Sequence, residues 1–121
     1  SVEITLGQLE AFGPRRRPSA FSFVIEQGRE EVVGCMETCQ PIILQAVNRA
    51  AEEWPSGFRP HITIARPPRR ADVRARKAGL QWARTVSPPS DPIRLDRLAL
   101  YTWAEDRRVR QFQIVEERAL E

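Results

Sequence analysis

The stretch Arg59-Pro60-His61-Ile62-Thr63-Ile64-Ala65-Arg66-Pro67 constrains the fold more than any other part of the chain. Ile62 and Ile64 alternate with His61 and Thr63, a period of two that predicts a β-strand with one apolar face. With the isoleucines turned toward a core, His61 and Thr63 share the opposite face, their Cβ atoms roughly 6–7 Å apart along the strand. His61 is the only histidine in the 121 residues. An imidazole can exchange a proton near neutral pH, and a threonine hydroxyl beside it can donate a hydrogen bond to an anionic oxygen. Arg59 and Arg66 flank the pair, within reach of the same area. Together these side chains make a seat for a phosphate ester with an acid or base supplied. The same local pattern also fits a half-exposed strand histidine with no task.

The segments on either side give the domain its outline. Residues 2–12 read as a strand, Val2, Ile4 and Leu6 alternating with Glu3 and Thr5. Gly13-Pro14-Arg15-Arg16-Arg17-Pro18 is a turn, and residues 20–26 are a second, apolar strand, so the two form a hairpin. Residues 30–54 carry helical spacing through Val32, Met36, Cys39, Ile43, Val47, Ala50 and Trp54. Pro41 interrupts that pattern. Either the helix kinks there, or, as we prefer, the regular helix starts near Gln40 with Pro41 in its first turn, where proline is tolerated. Pro55-Ser56-Gly57 stops it before the His61 strand.

Beyond that strand, residues 71–84 predict a short helix anchored by Val73, Leu80 and Trp82, with Arg74, Arg76 and Lys77 in solvent. Six positive side chains between positions 66 and 77 face one acid, Asp72. Such a run is either an ordinary solvated face or a patch that steers a polyanion. After a proline-rich loop over residues 87–92, residues 93–103 and 111–116, joined by a charged turn, predict a closing hairpin. The order strand, strand, helix, strand, helix, strand, strand makes residues 1–121 a single α+β domain with two helices and a mostly antiparallel sheet.

Composition narrows the function classes. Hydrophobic residues form 41% of the chain, enough for a core, and no apolar run approaches the ~18 residues a membrane span needs. The first residues carry no secretory signal, so a cytoplasmic location without a membrane partner is expected. The chain opens on Ser1 rather than methionine, which is compatible with a start inside a longer gene product. Of 19 lysines and arginines, only Lys77 is lysine, within a net charge of +3. Arginine's planar fork suits anionic ligands, although arginine bias can also follow genome base composition. Cys35 and Cys39 lack the second ligand cluster that zinc wants, and two cysteines make no disulfide framework. Both read as free thiols of a reducing compartment.

Pro60-His61-Ile62-Thr63-Ile64-Ala65-Arg66 resembles the second signature of the two-histidine (2H) phosphoesterase superfamily, His-x-Thr/Ser-x with an apolar last position. The branch it is most similar to is the RNA 2′,3′-cyclic phosphodiesterases, also called 2′-5′ RNA ligases, which often carry Pro-His-x-Thr-[Ile/Leu]-Ala-Arg here. Ile4-Thr5-Leu6-Gly7 through Phe12-Gly13, then Pro18 and the strand from Ala20, resemble the family's central hairpin. Residues 95–103 and Phe112-Gln113-Ile114-Val115 resemble its closing hairpin, so the resemblance spans nearly the whole chain.

In that family two such motifs face each other across a cleft. One histidine is general base and the other general acid, while the paired hydroxyls hold the phosphate. The resemblance implies that His61 is one of the two histidines, that Thr63 is its phosphate-binding partner, and that no metal or other cofactor takes part. The ligand it implies is RNA or a nucleotide cyclic phosphate; Arg66 and Arg59, by their position beside the motif, are expected to assist in binding it. The first signature is absent: Glu3-Ile4-Thr5-Leu6 would be a degenerate copy with glutamate for histidine. The resemblance implies instead that the first histidine precedes Ser1 or was never present, which leaves N-terminal elements out and sheet edges open to a homodimer. The expected activity is the opening of a 2′,3′-cyclic phosphate or transfer at a 2′-5′ linkage. The alternatives are a nucleotide- or RNA-binding module without turnover, and an α+β domain that dimerises through its sheet edges.

Overall fold

The N-terminal alternation forms strands, but two strands rather than one. In the structure, a computed structural model that describes residues 1–46 and 59–121, β1 (Val2–Ile4) and β2 (Leu6–Phe12) part at Thr5. The Thr5 carbonyl accepts from the Glu26 amide at 2.9 Å, and its hydroxyl accepts from the Gln27 amide at 3.3 Å. Pinned there, the chain changes partners: β1 pairs with β5 (Ile93–Leu95), and β2 pairs with β3 (Ala20–Ile25). The stretch expected as one strand over residues 93–103 divides the same way. β5 ends before Asp96, whose carbonyl accepts from the Leu120 amide at 2.8 Å, and β6 (Arg97–Trp103) pairs with β7 (Phe112–Ala119).

All the pairings are antiparallel, and the described strands make three sheets: β1-β5, β2-β3-β4 with β4 at His61–Ala65, and β6-β7. With helices α1 (Arg29–Ala46) and α2 (Val73–Ala83), the architecture is α+β. No described helix is long and apolar enough to cross a membrane.

β3 is the central strand of the largest sheet. Its Phe21, Phe23 and Ile25 are buried together with Ile4, Leu6, Leu9 and Ala83, and Ile62, Ala65 and Leu80 pack against them. Each of the large side chains contributes roughly 1.5–3 kcal/mol by leaving water. Helix α2 lies close on this face because Gly79 has no side chain: a Cβ there would stand 3.0 Å from the Phe21 ring.

Helix α1 begins at Arg29 and runs through Pro41, so the expected start near Gln40 is wrong. Two local features favour the earlier start. Gly28, at φ +76, turns the chain sharply out of β3, and Glu30 and Glu31 complement the helix dipole in the first turn. Pro41 removes one donor to the Glu37 carbonyl, but Glu37 is exposed and water can replace it. The expected continuation to residue 54 and the stop at residues 55–57 lie outside the described residues.

Helix α2 is capped by Asp72, whose carboxylate accepts from the Ala75 amide at 2.7 Å. Two expected roles on it are reversed. Val73 is 78% exposed and anchors nothing, whereas Arg76, expected in solvent, is 7% exposed. The guanidinium can be buried because four backbone carbonyls converge on it: Ala71 at 3.1 Å, Pro18 at 2.5 Å, Pro68 at 3.3 Å and Arg69 at 3.5 Å.

Candidate functional site

Strand β4 runs antiparallel to β3 with Val24 opposite His61, Phe23 opposite Ile62 and Ser22 opposite Thr63. His61 and Thr63 therefore share the face of Ser22, and Ile62 shares the core face of Phe23. The alternation then breaks. The next pair is Phe21 with Ala65, which leaves Ile64 as an extra, bulged residue. Ala65 takes the inward place expected for Ile64, and Ile64 is 45% exposed. The expectation that both isoleucines face the core holds for Ile62 alone.

Thr63 is half-buried, and its hydroxyl lies 2.9 Å from that of Ser22, which is fully buried. One hydroxyl of such a pair donates and the other accepts. When Ser22 donates, the Thr63 proton stays available to a second acceptor such as a phosphoryl oxygen. Ser22 escaped the sequence reading, yet it left a signal: a lone polar residue in the otherwise apolar run Ala20-Phe21-Ser22-Phe23-Val24.

His61 is exposed, and its ring is held from two sides. Nδ1 lies 2.7 Å from the Arg59 carbonyl, and the ring stacks on Phe12 with centroids 4.4 Å apart. A carbonyl only accepts, so Nδ1 carries the proton and Nε2 of the neutral ring is left as the acceptor. Phe12 comes from β2 and also meets the Arg59 guanidinium, 5.1 Å from its ring centroid. The Arg59 side chain is bound in turn to the Glu10 carboxylate at 2.7 Å. Arg59 thus supports His61 through its backbone and spends its charge on Glu10. Glu3, the one acid proposed to stand in for a missing histidine, lies on β1 opposite Arg94, on a different sheet from His61.

Arg66 is not brought to the same place as Arg59. It lines a separate cavity of about 710 Å3 together with Arg17, Arg69, Arg76, Trp103 and Arg107, and neither His61 nor Thr63 is part of that lining. Among the described residues, no group of three or more His, Cys, Asp or Glu is placed to hold a metal ion. Cys35 and Cys39 are free thiols, partly buried on α1. Burial, with Cys39 one turn along the helix, pushes the Cys35 thiol above its ordinary pKa.

Comparison with protein-family models, with curated proteins and with solved structures finds no match to this chain.

Proposed function

We propose that this protein engages the phosphate of RNA or of a nucleotide 2′,3′-cyclic phosphate at His61 and Thr63, as a phosphoesterase of the two-histidine type. The observation that supports this reading is the hydrogen bond from His61 Nδ1 to the Arg59 carbonyl. It fixes the ring orientation and tautomer, and it leaves Nε2 as the acceptor. Thr63, two residues along the same face and backed by Ser22, supplies the hydroxyl donor for a phosphoryl oxygen.

Opening a cyclic phosphate needs two proton transfers, one from the attacking water and one to the departing ribose oxygen. In-line displacement puts those two oxygens on opposite sides of phosphorus. His61 serves one of them, and its contribution is a factor of about 10²–10⁴. The 121 residues hold no second imidazole, which favours a reading in which this chain binds the phosphate ester well and turns it over slowly.

The test is hydrolysis of a nucleoside 2′,3′-cyclic phosphate, followed chromatographically, together with calorimetric titration of the nucleoside 2′-phosphate. We expect slow turnover that disappears in His61→Ala, and phosphate binding weakened by Thr63→Val. Turnover unchanged in His61→Ala, or no binding of the 2′-phosphate at all, would overturn the assignment. Fast turnover lost in His61→Ala would keep the site and refute its dependence on a second group.

A further inference from the structure

The cavity around Arg66 is built by three separate parts of the chain. Arg17 comes from the turn between β2 and β3, Arg66 and Arg69 from the connection between β4 and α2, Arg76 from α2, and Trp103 and Arg107 from the β6–β7 hairpin. Five guanidinium groups therefore converge on one cavity. Among the described residues none of the five has a carboxylate within ion-pair distance. Glu105 and Asp106 stand in the same turn as Arg107 but do not line the cavity, and Asp106 is taken up by Arg108 at 3.1 Å.

The least movable of these charges is Arg76. It is buried, and its N–H groups are spent on carbonyls of Pro18, Pro68, Arg69 and Ala71, which neutralise no charge. Those contacts also tie the Arg17 turn to the Arg69 segment, where Arg17 donates to the Arg69 carbonyl at 3.1 Å. A fixed positive centre flanked by more flexible arginines suits an anion with several phosphates better than a single carboxylate.

Part of the lining is aromatic, Trp103 and Phe112. The Arg107 guanidinium already stacks over the Trp103 ring at 4.2 Å, and Trp103 is 55% exposed. Guanidinium planes and indole faces are the surfaces on which unpaired bases stack.

We propose that this cavity is a binding site for single-stranded nucleic acid, with the phosphodiester backbone along Arg17, Arg66 and Arg69 and a base added to the Arg107–Trp103 stack. It stands on its own observations and not on the reading of His61. A strand held here is recognised by phosphate and base plane alone, so binding tolerates changes of sequence.

The experiment is fluorescence anisotropy of a labelled uridine decanucleotide titrated with the 121-residue chain at several salt concentrations. Release of counterions from about three phosphates weakens binding roughly 20-fold between 50 and 200 mM salt, for a slope near −0.7 per phosphate. Arg17→Gln and Arg69→Gln each lower that slope by about 0.7. Trp103→Ala weakens binding about tenfold at any salt. Arg74→Gln, on α2 outside the cavity, leaves it unchanged. Equal losses in Arg74→Gln would overturn the site. Binding that Trp103→Ala does not alter, or that duplex RNA of the same length matches, would overturn the single-stranded assignment.

Discussion

Replacing Arg76 by methionine keeps most of its volume and removes the guanidinium from the four carbonyls that surround it; Pro68 keeps the Ala71 amide and Arg69 keeps Arg17, while Pro18 and Ala71 lose their donor. The Pro18 carbonyl is buried at this contact, while those of Ala71, Pro68 and Arg69 are only partly so. A buried acceptor left unpaired costs about 1–3 kcal/mol, and each partly exposed one, where water can enter, about 0.5 kcal/mol. Removing a buried charge returns part of its desolvation penalty. The balance is a loss of about 1–3 kcal/mol, a large share of the stability of a domain this size. In urea, with a slope of about 1–3 kcal/mol per molar, the midpoint should fall by about 0.5–1.5 M. Arg76→Lys keeps the charge but offers a point donor in place of a fork, so it should fall between methionine and the parent protein. A methionine variant whose midpoint stays within about 0.2 M of the parent would show that the guanidinium fills space without holding the Pro18 turn to the β4–α2 connection.

Two other consequences follow from local geometry. Gly28→Ala places a Cβ against the Glu3 carbonyl oxygen at φ +76, so β1 or the start of α1 must shift. A cost of about 2 kcal/mol is expected by urea unfolding, and an unchanged midpoint would contradict the tight turn. The Cys35 thiol, pushed up by burial and by Cys39, should react with iodoacetamide more slowly at pH 8 than glutathione does. Its rate should reach a plateau only at higher pH, because the thiolate is the reactive form. Mass spectrometry of the peptide follows this directly, and reaction at the glutathione rate would refute it.

The strands, the turn over Gly13–Pro18 and the existence of helix α2 were legible because each rests on interactions within a few residues. A period of two, a glycine beside prolines and apolar residues at helical spacing are all local signals. The pairing of His61 with Thr63 on one face was legible for the same reason. Partner exchange at Thr5 and Asp96 was not, since a strand's alternation does not name the strand it will pair with. Nor was the bulge at Ile64, which appears only when β4 is set against β3, and one extra residue there sends Ile64 outward and Ala65 inward.

The arginines mark the limit most clearly. From its neighbours on a charged helix, Arg76 belongs in solvent, and only the folded chain brings it the carbonyl of Pro18, 58 residues away. Arg59 and Arg66 look equivalent on either side of one strand, yet Glu10 and Phe12 capture the first while the second opens into a cavity shared with Arg17 and Trp103. Sequence by itself determined the strand, its histidine and its hydroxyl, because side-chain chemistry and short-range periodicity suffice for them. Tertiary structure alone decided which charges are spent and which remain for a ligand, because an ion pair or a buried hydrogen bond depends on distances between segments that are remote along the chain.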